Sequence, residues 1–310
     1  VSISGAVVTA PSGTYTVTAT LGLCTSIASS NITISQQPTN TWNGSVWSNG
    51  TPTAAQKLVF SGNFSSTGNV SGCTCSVTSG AVVINAGHTL AIANEVTVNP
   101  GGSLVFEDTA SLVQTNPTAV NSGNITYKRI ASGIKGGDYV YWSSPVLNQP
   151  LNTIYTTPTQ GPKYKWNTTL NNGNGVLPNI SQGTWVNANG NTMETGKGYI
   201  VRGSSSSSMP ATTINSTFSG VPNNGNIPVI VERGMYTGAP YAGVNGTQIT
   251  NLDDNWNLLG NPYPSAINAL QFLYDNSSSI LGNVRLWTHG SDIALTNGTT
   301  VTNPYYGSFA

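Results

Sequence analysis

Apolar and polar residues alternate with a period of two in many short runs along this chain of 310 residues. Clear examples are residues 13–20, 139–142 and 198–202, and Gly, Asn or Pro residues bound most of the runs. Alternation over short runs between turn-forming residues is typical of half-buried β-strands, whereas apolar residues three and four apart would indicate helices. The pattern therefore predicts an all-β protein.

The first predicted module is short and comprises residues 1–37. Two alternating runs, at residues 13–20 and 30–34, flank a loop that contains Cys24. They resemble the last two strands of an immunoglobulin-like or PKD-like module, and Tyr15 lies where such sandwiches carry a tyrosine corner. Two strands cannot form an independent core, so a plain hairpin docked on the next module is the alternative.

A repeat begins near residue 77 and characterises a second module, residues 38–124. Residues 84–92 and 98–106 share the pattern apolar, Asn, x, Gly, x, Thr or Ser, Leu, x, apolar, with an offset of 14, and residues 110–113 form a degenerate third copy. Short strands with Gly and Asn at each corner are typical of parallel β-helices, in which each rung stacks its apolar side chains on the rung below. We expect a β-helix-like solenoid of roughly four to six rungs here.

The remaining residues, 125–310, contain many short alternating runs between Asn- and Gly-rich turns. Their regular spacing predicts a third module of the β-sandwich or jelly-roll type, with further strands expected beyond the end of this chain. One short helix is predicted, with Ser265 as its N-cap and residues 266–274 as its body, because apolar residues recur there at helical spacing.

Only 20 of the 310 residues are charged, ten basic and ten acidic, while Ser, Thr, Asn and Gly together make up 146. Ten scattered cations cannot form a face that neutralises phosphates, so nucleic-acid binding and polybasic membrane attachment are excluded. No stretch approaches about eighteen consecutive apolar residues, so no transmembrane segment is predicted. The seven Trp, thirteen Tyr and six Phe argue against disorder. We expect an ordered extracellular protein.

The chain has three cysteines, Cys24, Cys73 and Cys75, and two histidines, His88 and His289. In a strand, Cys73 and Cys75 would share one face but lie too far apart for an unstrained disulfide bond. A zinc site needs four ligands, which these residues do not supply at a suitable spacing. We therefore expect free or locally paired thiols, with no metal site and no cofactor. An odd number of cysteines also fits a chain cut from a longer protein.

No catalytic site is predicted. His88 and His289 lie in different predicted modules, and the chain has no Gly-x-Ser-x-Gly nucleophile elbow. Parallel β-helices do occur in polysaccharide lyases and hydrolases, so an active site of that kind is kept as an alternative. Its residues would be Glu95, Glu107, Asp108, Lys128 and Arg129. Such sites need several convergent charges, and because this chain has so few, we expect a protein that is not an enzyme.

Several local motifs between residues 40 and 310 are distinctive. They include Thr-Trp-Asn-Gly-Ser at 41–45, Cys-Thr-Cys at 73–75, Trp-Ser-Ser-Pro-Val at 142–146, Gly-Lys-Gly-Tyr-Ile-Val-Arg at 196–202 and Gly-Asn-Pro-Tyr-Pro-Ser at 260–265. These motifs resemble those of large secreted surface proteins of Bacteroidota, the cargo of the type IX secretion system. The resemblance implies an adhesin-like cell-surface protein, of the kind associated with gliding motility. It also implies a C-terminal sorting domain, beyond this chain, that binds the secretion and anchoring machinery.

The resemblance further implies a modification site, because Asp108-Thr109-Ala110 matches the O-glycosylation signal of Bacteroidota. Thr109 would lie at an exposed edge of the predicted solenoid, as an attached glycan requires.

Carbohydrate binding is the chemistry that the composition favours most. Indole rings offer flat apolar faces for sugar rings, and the Asn-rich loops offer amide donors and acceptors. Tryptophan in β-rich folds is more often part of the core, which is the alternative for each position. The candidate glycan-stacking residues are Trp142, Trp166, Trp185 and Trp287.

Together these observations predict an extracellular adhesin, or a structural component of a surface filament or layer, that provides binding and mechanical support. Its expected partners are surface glycans or neighbouring copies of itself, in addition to the secretion machinery. The alternative is a carbohydrate-binding accessory region of a secreted polysaccharide-degrading enzyme.

Overall fold

A computed structural model describes most of the chain as a succession of short β-strands. The described residues are 2–4, 7–134, 138–155, 161–170, 183–203, 212–234, 239, 241–242, 248–249, 256–280, 284–287, 294–296, 300–302 and 306–309. Within them, parallel strands form a solenoid of about four turns, and antiparallel sheets precede and follow it. The predicted all-β class, with a parallel solenoid and one short helix, is confirmed.

The residues ahead of the solenoid form narrow antiparallel ribbons. Their strands are β1 (Ser2–Ser4), β2 (Val7–Thr9), β3 (Gly13–Tyr15), β4 (Thr20–Leu21), β5 (Cys24–Thr25) and β6 (Ile32–Ile34). β3 pairs with β6, and β4 pairs with β5, so residues 13–34 form one long hairpin. Near its start, the Tyr15 hydroxyl donates a hydrogen bond to the Pro11 carbonyl at 2.8 Å, which is the geometry of a tyrosine corner.

Three parallel sheets form the walls of the solenoid. Their strands are β7 (Thr39–Trp42), β8 (Lys57–Phe60), β9 (Phe64–Ser65), β10 (Val70–Gly72), β11 (Thr74–Val77), β12 (Gly80–Ile84), β13 (Thr89–Ile92), β14 (Val96–Val98), β15 (Gly102–Phe106), β16 (Ser111–Gln114) and β17 (Ile125–Ile134). Sheet I contains β7, β8, β11 and β14, sheet II contains β9, β12, β15 and β17, and sheet III contains β10, β13 and β16. From β8 to β16 the chain visits sheets I, II and III in turn and repeats this circuit.

Each turn buries its apolar side chains against the turns above and below it. In sheet II, Val82 stands opposite Leu104, and Leu104 stands opposite Ile125, on neighbouring parallel strands. In sheet III, Leu90 stands opposite Leu112 in the same way. All five side chains are at most 2% exposed. Because successive residues of a strand point to opposite faces, the period of two seen in the sequence separates the core from the solvent face.

The offset of 14 between the two copies of the repeat differs from the number of residues in one turn of the solenoid. Val82 stands opposite Leu104, so a full turn takes 22 residues here (104 − 82). Residues 84–92 run from β12 around a corner into β13, whereas residues 98–106 run from β14 around a different corner into β15. The two copies of the repeat therefore lie at different corners of the solenoid, one between sheets II and III and the other between sheets I and II. These two corners have similar turn-forming residues but do not stack on each other.

Side-chain amides hold the corner between sheet III and sheet I. Asn116 Nδ2 donates to Asn94 Oδ1 at 2.8 Å, and Asn94 Nδ2 donates to Cys73 Sγ at 3.0 Å. Asn224, from much later in the chain, donates to the Asn116 carbonyl at 2.9 Å and extends the ladder. Cys73 thus occupies a ladder position, while Cys75 is buried in the solenoid core. The cysteines are free thiols, one of the two states that the spacing predicts.

An aromatic cluster closes the N-terminal end of the solenoid core. The rings of Trp42 and Trp47 lie 5.5 Å apart between centroids, and both contact Phe64, at 5.1 and 5.8 Å. Phe60, which is fully buried, completes the cluster. The first turn of a repeat array has no neighbour on one side, and this cluster covers its apolar surface.

After the solenoid the strands pair in antiparallel fashion. They are β18 (Tyr139–Trp142), β19 (Lys163–Asn167), β20 (Thr184–Asn187), β21 (Tyr199–Arg202), β22 (Thr212–Gly220), β23 (Tyr241–Ala242), β24 (Gln248–Ile249), β25 (Val284–Trp287), β26 (Ala294–Thr296), β27 (Thr300–Thr302) and β28 (Tyr306–Phe309), with a 3₁₀ helix at Leu151–Thr153. β18, β21, β19 and β20 form a four-stranded sheet in that order. The pairs β23–β24, β25–β28 and β26–β27 form separate two-stranded ladders.

One strand joins the solenoid to the antiparallel part of the molecule. The first residues of β17 pair in parallel with β15, and most of β17 pairs in antiparallel fashion with β22. Sheet II therefore continues across residue 125, where the sequence predicts the start of the third module. At the edge of sheet III, the Leu112 amide donates to the Pro264 carbonyl at 2.8 Å. Later segments of the chain thus cover the last edges of both sheets.

The helix α1 (Ala269–Asp275) begins later than the sequence predicts. Its N-cap is Asn268, whose side-chain oxygen accepts a hydrogen bond from the Gln271 amide at 3.0 Å. Ser265, the predicted N-cap, is held in the preceding turn, because its carbonyl accepts a hydrogen bond from Asn261 Nδ2 at 2.6 Å. The chain can therefore become helical only after this turn has ended.

Replacing Leu104 by alanine is expected to destabilise the fold by about 2–5 kcal/mol, because the side chain is 1% exposed and is stacked between Val82 and Ile125. The matched control is Val105→Ala, on the outward face of the same strand, which should cost about 1 kcal/mol or less. Equilibrium unfolding in urea measures both. Equal losses for the two variants would contradict the assignment of inward and outward faces.

Thiol reactivity gives a second test of the solenoid core. Burial raises the pKa of Cys75 to about 12, so at about pH 8 the thiol stays protonated and inert toward iodoacetamide. Cys24 is exposed and should be alkylated in the folded protein. Mass spectrometry after a short exposure should find label at Cys24 and none at Cys75, and label at both after denaturation. Similar labelling rates in the folded protein would show that Cys75 is not enclosed.

Candidate ligand-binding surface

The four-stranded sheet β18-β21-β19-β20 has two chemically different faces. Residues that stand opposite each other on neighbouring strands share a face. One face carries Val140, Val201 and Tyr199, which are buried in the core. The other face, termed the aromatic face, carries five rings. They belong to Tyr139, Tyr141, Tyr164, Trp166 and Trp185.

The rings of the aromatic face contact one another. Trp166 and Trp185 stand opposite each other on β19 and β20, with centroids 5.1 Å apart and ring planes at 75°. The Trp185 ring also lies 6.4 Å from that of Tyr141, and Tyr139 lies 6.1 Å from Tyr164. Tilted and edge-to-face contacts of this kind stabilise the ring positions. The face is therefore organised without a ligand.

Local contacts fix Trp166 and leave Trp185 accessible. Trp166 Nε1 donates to the Trp256 carbonyl at 2.8 Å. Gly183 has a φ of +76°, and a Cβ at this position would lie 2.4 Å from the Trp166 ring, so glycine is required for the close approach. The Trp185 side chain, in contrast, is 38% exposed. Trp185 is thus the ring of this pair that a partner can reach.

A cleft of about 370 Å³, termed the junction cleft, lies where this sheet meets the last turn of the solenoid. Its volume is in the range of ordinary small-ligand sites. Five aromatic residues line it, namely Tyr127, Tyr141, Trp142, Phe218 and Tyr263. Its polar residues are Thr109, Ser111, Ser143, Arg129, Asn261 and Ser265. Because Tyr141 belongs to both the cleft and the aromatic face, the two surfaces are continuous.

Trp142 forms an inner wall of the junction cleft, not an exposed platform. Its Nε1 donates to the Tyr155 hydroxyl at 2.6 Å, and its ring lies 5.8 Å from that of Phe218. Burial raises the pKa of Tyr155 far above its ordinary value, so the hydroxyl remains a neutral partner at physiological pH. The wall therefore keeps the same hydrogen bonding over a wide range of pH.

Two of the distinctive sequence motifs meet beside the cleft. Ser143 Oγ, from Trp-Ser-Ser-Pro-Val, donates to the Asn261 carbonyl of Gly-Asn-Pro-Tyr-Pro-Ser at 2.6 Å. Asn223, which is 5% exposed, donates from Nδ2 to the carbonyls of Ser144 and Pro262, at 3.2 and 2.8 Å. Buried amides of this kind are costly to leave unpaired. These bonds join the two motifs to each other, and the hydrogen bond from the Leu112 amide to the Pro264 carbonyl joins the second motif to the solenoid.

Four of the five charged residues kept as an alternative active site lie together at the corner between β15 and β16. Lys128 and Glu107 form an ion pair at 2.7 Å, and Asp108 Oδ1 accepts a hydrogen bond from the Ile130 amide at 3.0 Å. Glu95 is at a different corner, just before β14. The ion pair of Glu107 and the hydrogen bond of Asp108 are both formed with residues of the neighbouring strand β17.

Arg129 lies across the same corner and forms part of the cleft wall. Its Nη1 donates to the carbonyls of Glu107 and Lys128, at 3.3 and 2.6 Å. Its Nη2 donates to the Ala110 carbonyl at 2.7 Å and to the Tyr127 hydroxyl. Burial is the main influence on the guanidinium and lowers the pKa of Arg129, although arginine remains protonated at neutral pH. Arg129 thus stabilises the corner through backbone acceptors.

Thr109, the predicted glycosylation site, is exposed at the rim of the junction cleft. Its Oγ1 accepts a hydrogen bond from the Gly87 amide at 2.9 Å and donates to the Asp108 carbonyl at 2.5 Å. The residue therefore lies at a solenoid corner, the location that the sequence analysis expects. Its modification stays a prediction.

The structure brings together some of the predicted tryptophans and adds residues that the sequence analysis missed. Trp166 and Trp185 share the aromatic face, and Trp142 lines the adjoining cleft. Trp287 is the last residue of β25, and its side chain lies outside the described part of the structure. His289 also lies outside the described residues.

The missed residues are the tyrosines of the aromatic face and the cleft. Tyr139 and Tyr141 are two apart on one strand, and so are Tyr164 and Trp166 on another. That spacing is a signal for one aromatic face, because side chains at i and i+2 point the same way. No spacing in the sequence indicated the junction cleft, because its lining residue Tyr263 is far in sequence from Tyr127 and Tyr141.

The described residues provide neither a cluster of metal ligands nor a membrane-spanning helix. Within them, no three His, Cys, Asp or Glu side chains are grouped so that they could hold a metal ion. Of the helical segments that the structure describes, none has the length and hydrophobicity needed to span a membrane.

Comparison with known proteins gives a family but no activity. No curated protein and no solved structure matches the chain. One family profile covers residues 35–310, which include the solenoid, the aromatic face and the junction cleft. The chain therefore belongs to the family described as Domain of unknown function (DUF8693).

Proposed function

We propose that this chain is part of an extracellular adhesin, that its aromatic face binds neutral glycans, and that its solenoid is a stiff spacer. The function proposed is binding and not catalysis. The observation that carries the proposal is the group of rings on the sheet β18-β21-β19-β20, in which the accessible Trp185 contacts both Trp166 and Tyr141.

The chemistry of the aromatic face suits a sugar ring. A pyranose ring presents C–H groups on its faces, and these are attracted to the electron-rich face of an aromatic ring. Arg202 stands opposite Tyr139 and is the charged residue on this face among those described, at the end away from Trp185. Asn187, two residues after Trp185, adds an exposed amide on the same side. Apart from Arg202, the polar and aromatic groups described on this face are uncharged, which favours a neutral ligand.

The solenoid suits the role of a spacer. Its turns stack through continuous parallel sheets, so each turn is stabilised by its neighbours and the rod resists bending. The low charge of the whole chain, with 20 charged residues in 310, leaves little repulsion between neighbouring copies. Interactions at a surface with so few charges also depend little on the salt concentration. Both properties support a role at a crowded cell surface.

The proposed localisation rests on the sequence motifs and the composition. The resemblance of these motifs to type IX secretion cargo of Bacteroidota supports export, and attachment through a sorting domain outside this chain. O-glycosylation at Thr109 is part of the same proposal, and peptide mapping of native material tests it. An unmodified Thr109 peptide would contradict the glycosylation.

A second candidate is a carbohydrate-binding accessory region of a secreted polysaccharide-degrading enzyme, because the same aromatic face would serve it. The two candidates differ in the ligand. An accessory region should bind the insoluble polysaccharide that its enzyme degrades, whereas an adhesin should bind intact cells through oligosaccharides at their surface. Parallel pull-down with insoluble polysaccharides and with glycan-coated beads separates them.

Replacing Trp185 by alanine is expected to weaken binding to neutral oligosaccharides by at least about tenfold, because it removes the accessible ring of the face. An array of neutral glucose, galactose, mannose and xylose oligosaccharides identifies the glycan, and calorimetry measures its dissociation constant. Trp185→Phe should retain part of the affinity.

The control variant is Tyr274→Ala, which removes a 77% exposed ring from α1, away from the face. It should bind as the wild type does. If the wild-type protein bound no neutral glycan, or if Trp185→Ala and Tyr274→Ala bound equally well, the proposed function would be wrong.

A further inference from the structure

The backbone at Thr109 is strained. Its φ of +65° is in the left-handed region, which β-branched residues strongly disfavour. Gly87, which lies at the equivalent corner one turn earlier (109 − 87 = 22), has a φ of +76° and carries no such strain. Among the described residues, Asn148 is the other non-glycine with positive φ, and asparagine tolerates this conformation. The Thr109 hydroxyl, which accepts a hydrogen bond from the Gly87 amide and donates to the Asp108 carbonyl, is the local contact that offsets this strain.

The strained residue lies at the rim of a cleft that has unused hydroxyl groups. Ser111 and Ser265 also line the junction cleft, and both are partly exposed. Neither hydroxyl forms a hydrogen bond with the described part of the protein. The aromatic residues Tyr127 and Trp142 line the same cleft. A partly apolar cleft with a few hydroxyl groups at its edge matches the amphipathic character of a sugar residue.

The charged residue of the cleft does not favour an acidic sugar. The four N–H groups on Nη1 and Nη2 of Arg129 have four acceptors within the protein: the carbonyls of Glu107, Lys128 and Ala110 and the Tyr127 hydroxyl. Recognition of a carboxylate by arginine normally uses two parallel N–H groups, and these are already engaged. The cleft is therefore suited to a neutral residue.

We propose that the junction cleft binds the terminal residue of a neutral glycan whose following residues lie on the aromatic face. Tyr141 lines the cleft and contacts Trp185, so a single chain can pass from one surface to the other. Thr109, which is exposed at the rim, contacts that residue on molecules in which it carries no attached glycan. The inference rests on the proposed function and adds to it the recognition of a chain end.

The test uses the full chain, with Thr109 shown by mass spectrometry to be unmodified, and the neutral oligosaccharide with the highest affinity in the array described above. The first variant, Ser265→Ala, removes a free hydroxyl and should weaken binding roughly three- to tenfold. Ser277→Ala, an exposed serine beyond α1, is its matched control and should not change the affinity. Methylation of the hydroxyls of the terminal sugar should weaken binding to the wild type by a similar factor and have little effect on Ser265→Ala.

The second variant, Thr109→Gly, separates a binding role from a structural one. It should weaken binding of the same oligosaccharide and change Tm little, because glycine relieves the backbone strain but loses the hydrogen bond from the Gly87 amide to Thr109 Oγ1. A lower Tm with unchanged affinity would show that Thr109 is structural and would overturn the proposal.

The outcomes also distinguish this proposal from the one on which it rests. If Trp185→Ala abolishes binding while Ser265→Ala, Thr109→Gly and terminal methylation have no effect, the chain lies on the aromatic face alone and the end-recognition proposal is wrong. If Trp185→Ala has no effect on the affinity of any neutral oligosaccharide, the proposed function itself fails. Stronger binding of an oligosaccharide with a terminal uronic acid would contradict the preference for a neutral residue.

Discussion

The stacking of apolar side chains between parallel turns determines the organisation of the whole molecule, because this contact requires a neighbour on both sides. In the middle of sheet II, Leu104 packs between Val82 and Ile125 on the neighbouring strands. The first and last turns have a neighbouring turn on one side only, so each leaves one apolar surface uncovered. Trp42 and Trp47 cover the first. The last turn is covered by a much larger part of the chain. The same part of the chain forms the candidate binding surfaces.

Covering the last turn brings distant segments together. β22 pairs with the edge of sheet II, and Pro264 binds the edge of sheet III through the Leu112 amide. The motifs Trp-Ser-Ser-Pro-Val and Gly-Asn-Pro-Tyr-Pro-Ser meet there through the bond from Ser143 to Asn261. The junction cleft lies between these segments, so the residues that close the core also line the cleft. Structural and binding roles therefore overlap in this region, and a substitution there needs a stability measurement beside each affinity measurement.

The sequence was sufficient for those features that depend on local chemistry. Alternation with a period of two identified the strands, and Gly and Asn at the corners identified a solenoid. The same local repeat does not give the turn length, because it matches corners such as Asn85-Ala86-Gly87 and Asn99-Pro100-Gly101 without showing which corners stack. The helix start was also misplaced, since the bond from Asn261 to Ser265 belongs to a turn whose geometry depends on contacts with the solenoid. The aromatic face was partly predictable from Trp166 and Trp185, whereas the cleft depends on pairings between segments that are far apart in sequence.

The continuity of β17 has a consequence for how many copies would act together. The strand belongs at one end to the stacked sheets of the solenoid and along most of its length to the ladder with β22, so the rod continues directly into that ladder. The ring contact between Trp142 and Phe218 joins the ladder to the sheet that carries the aromatic face. Copies anchored side by side would then present their aromatic faces at one angle to the rod axis. When a ligand repeats along a surface, such alignment reduces the orientational entropy lost in each further contact, and avidity can rise well above the affinity of a single site.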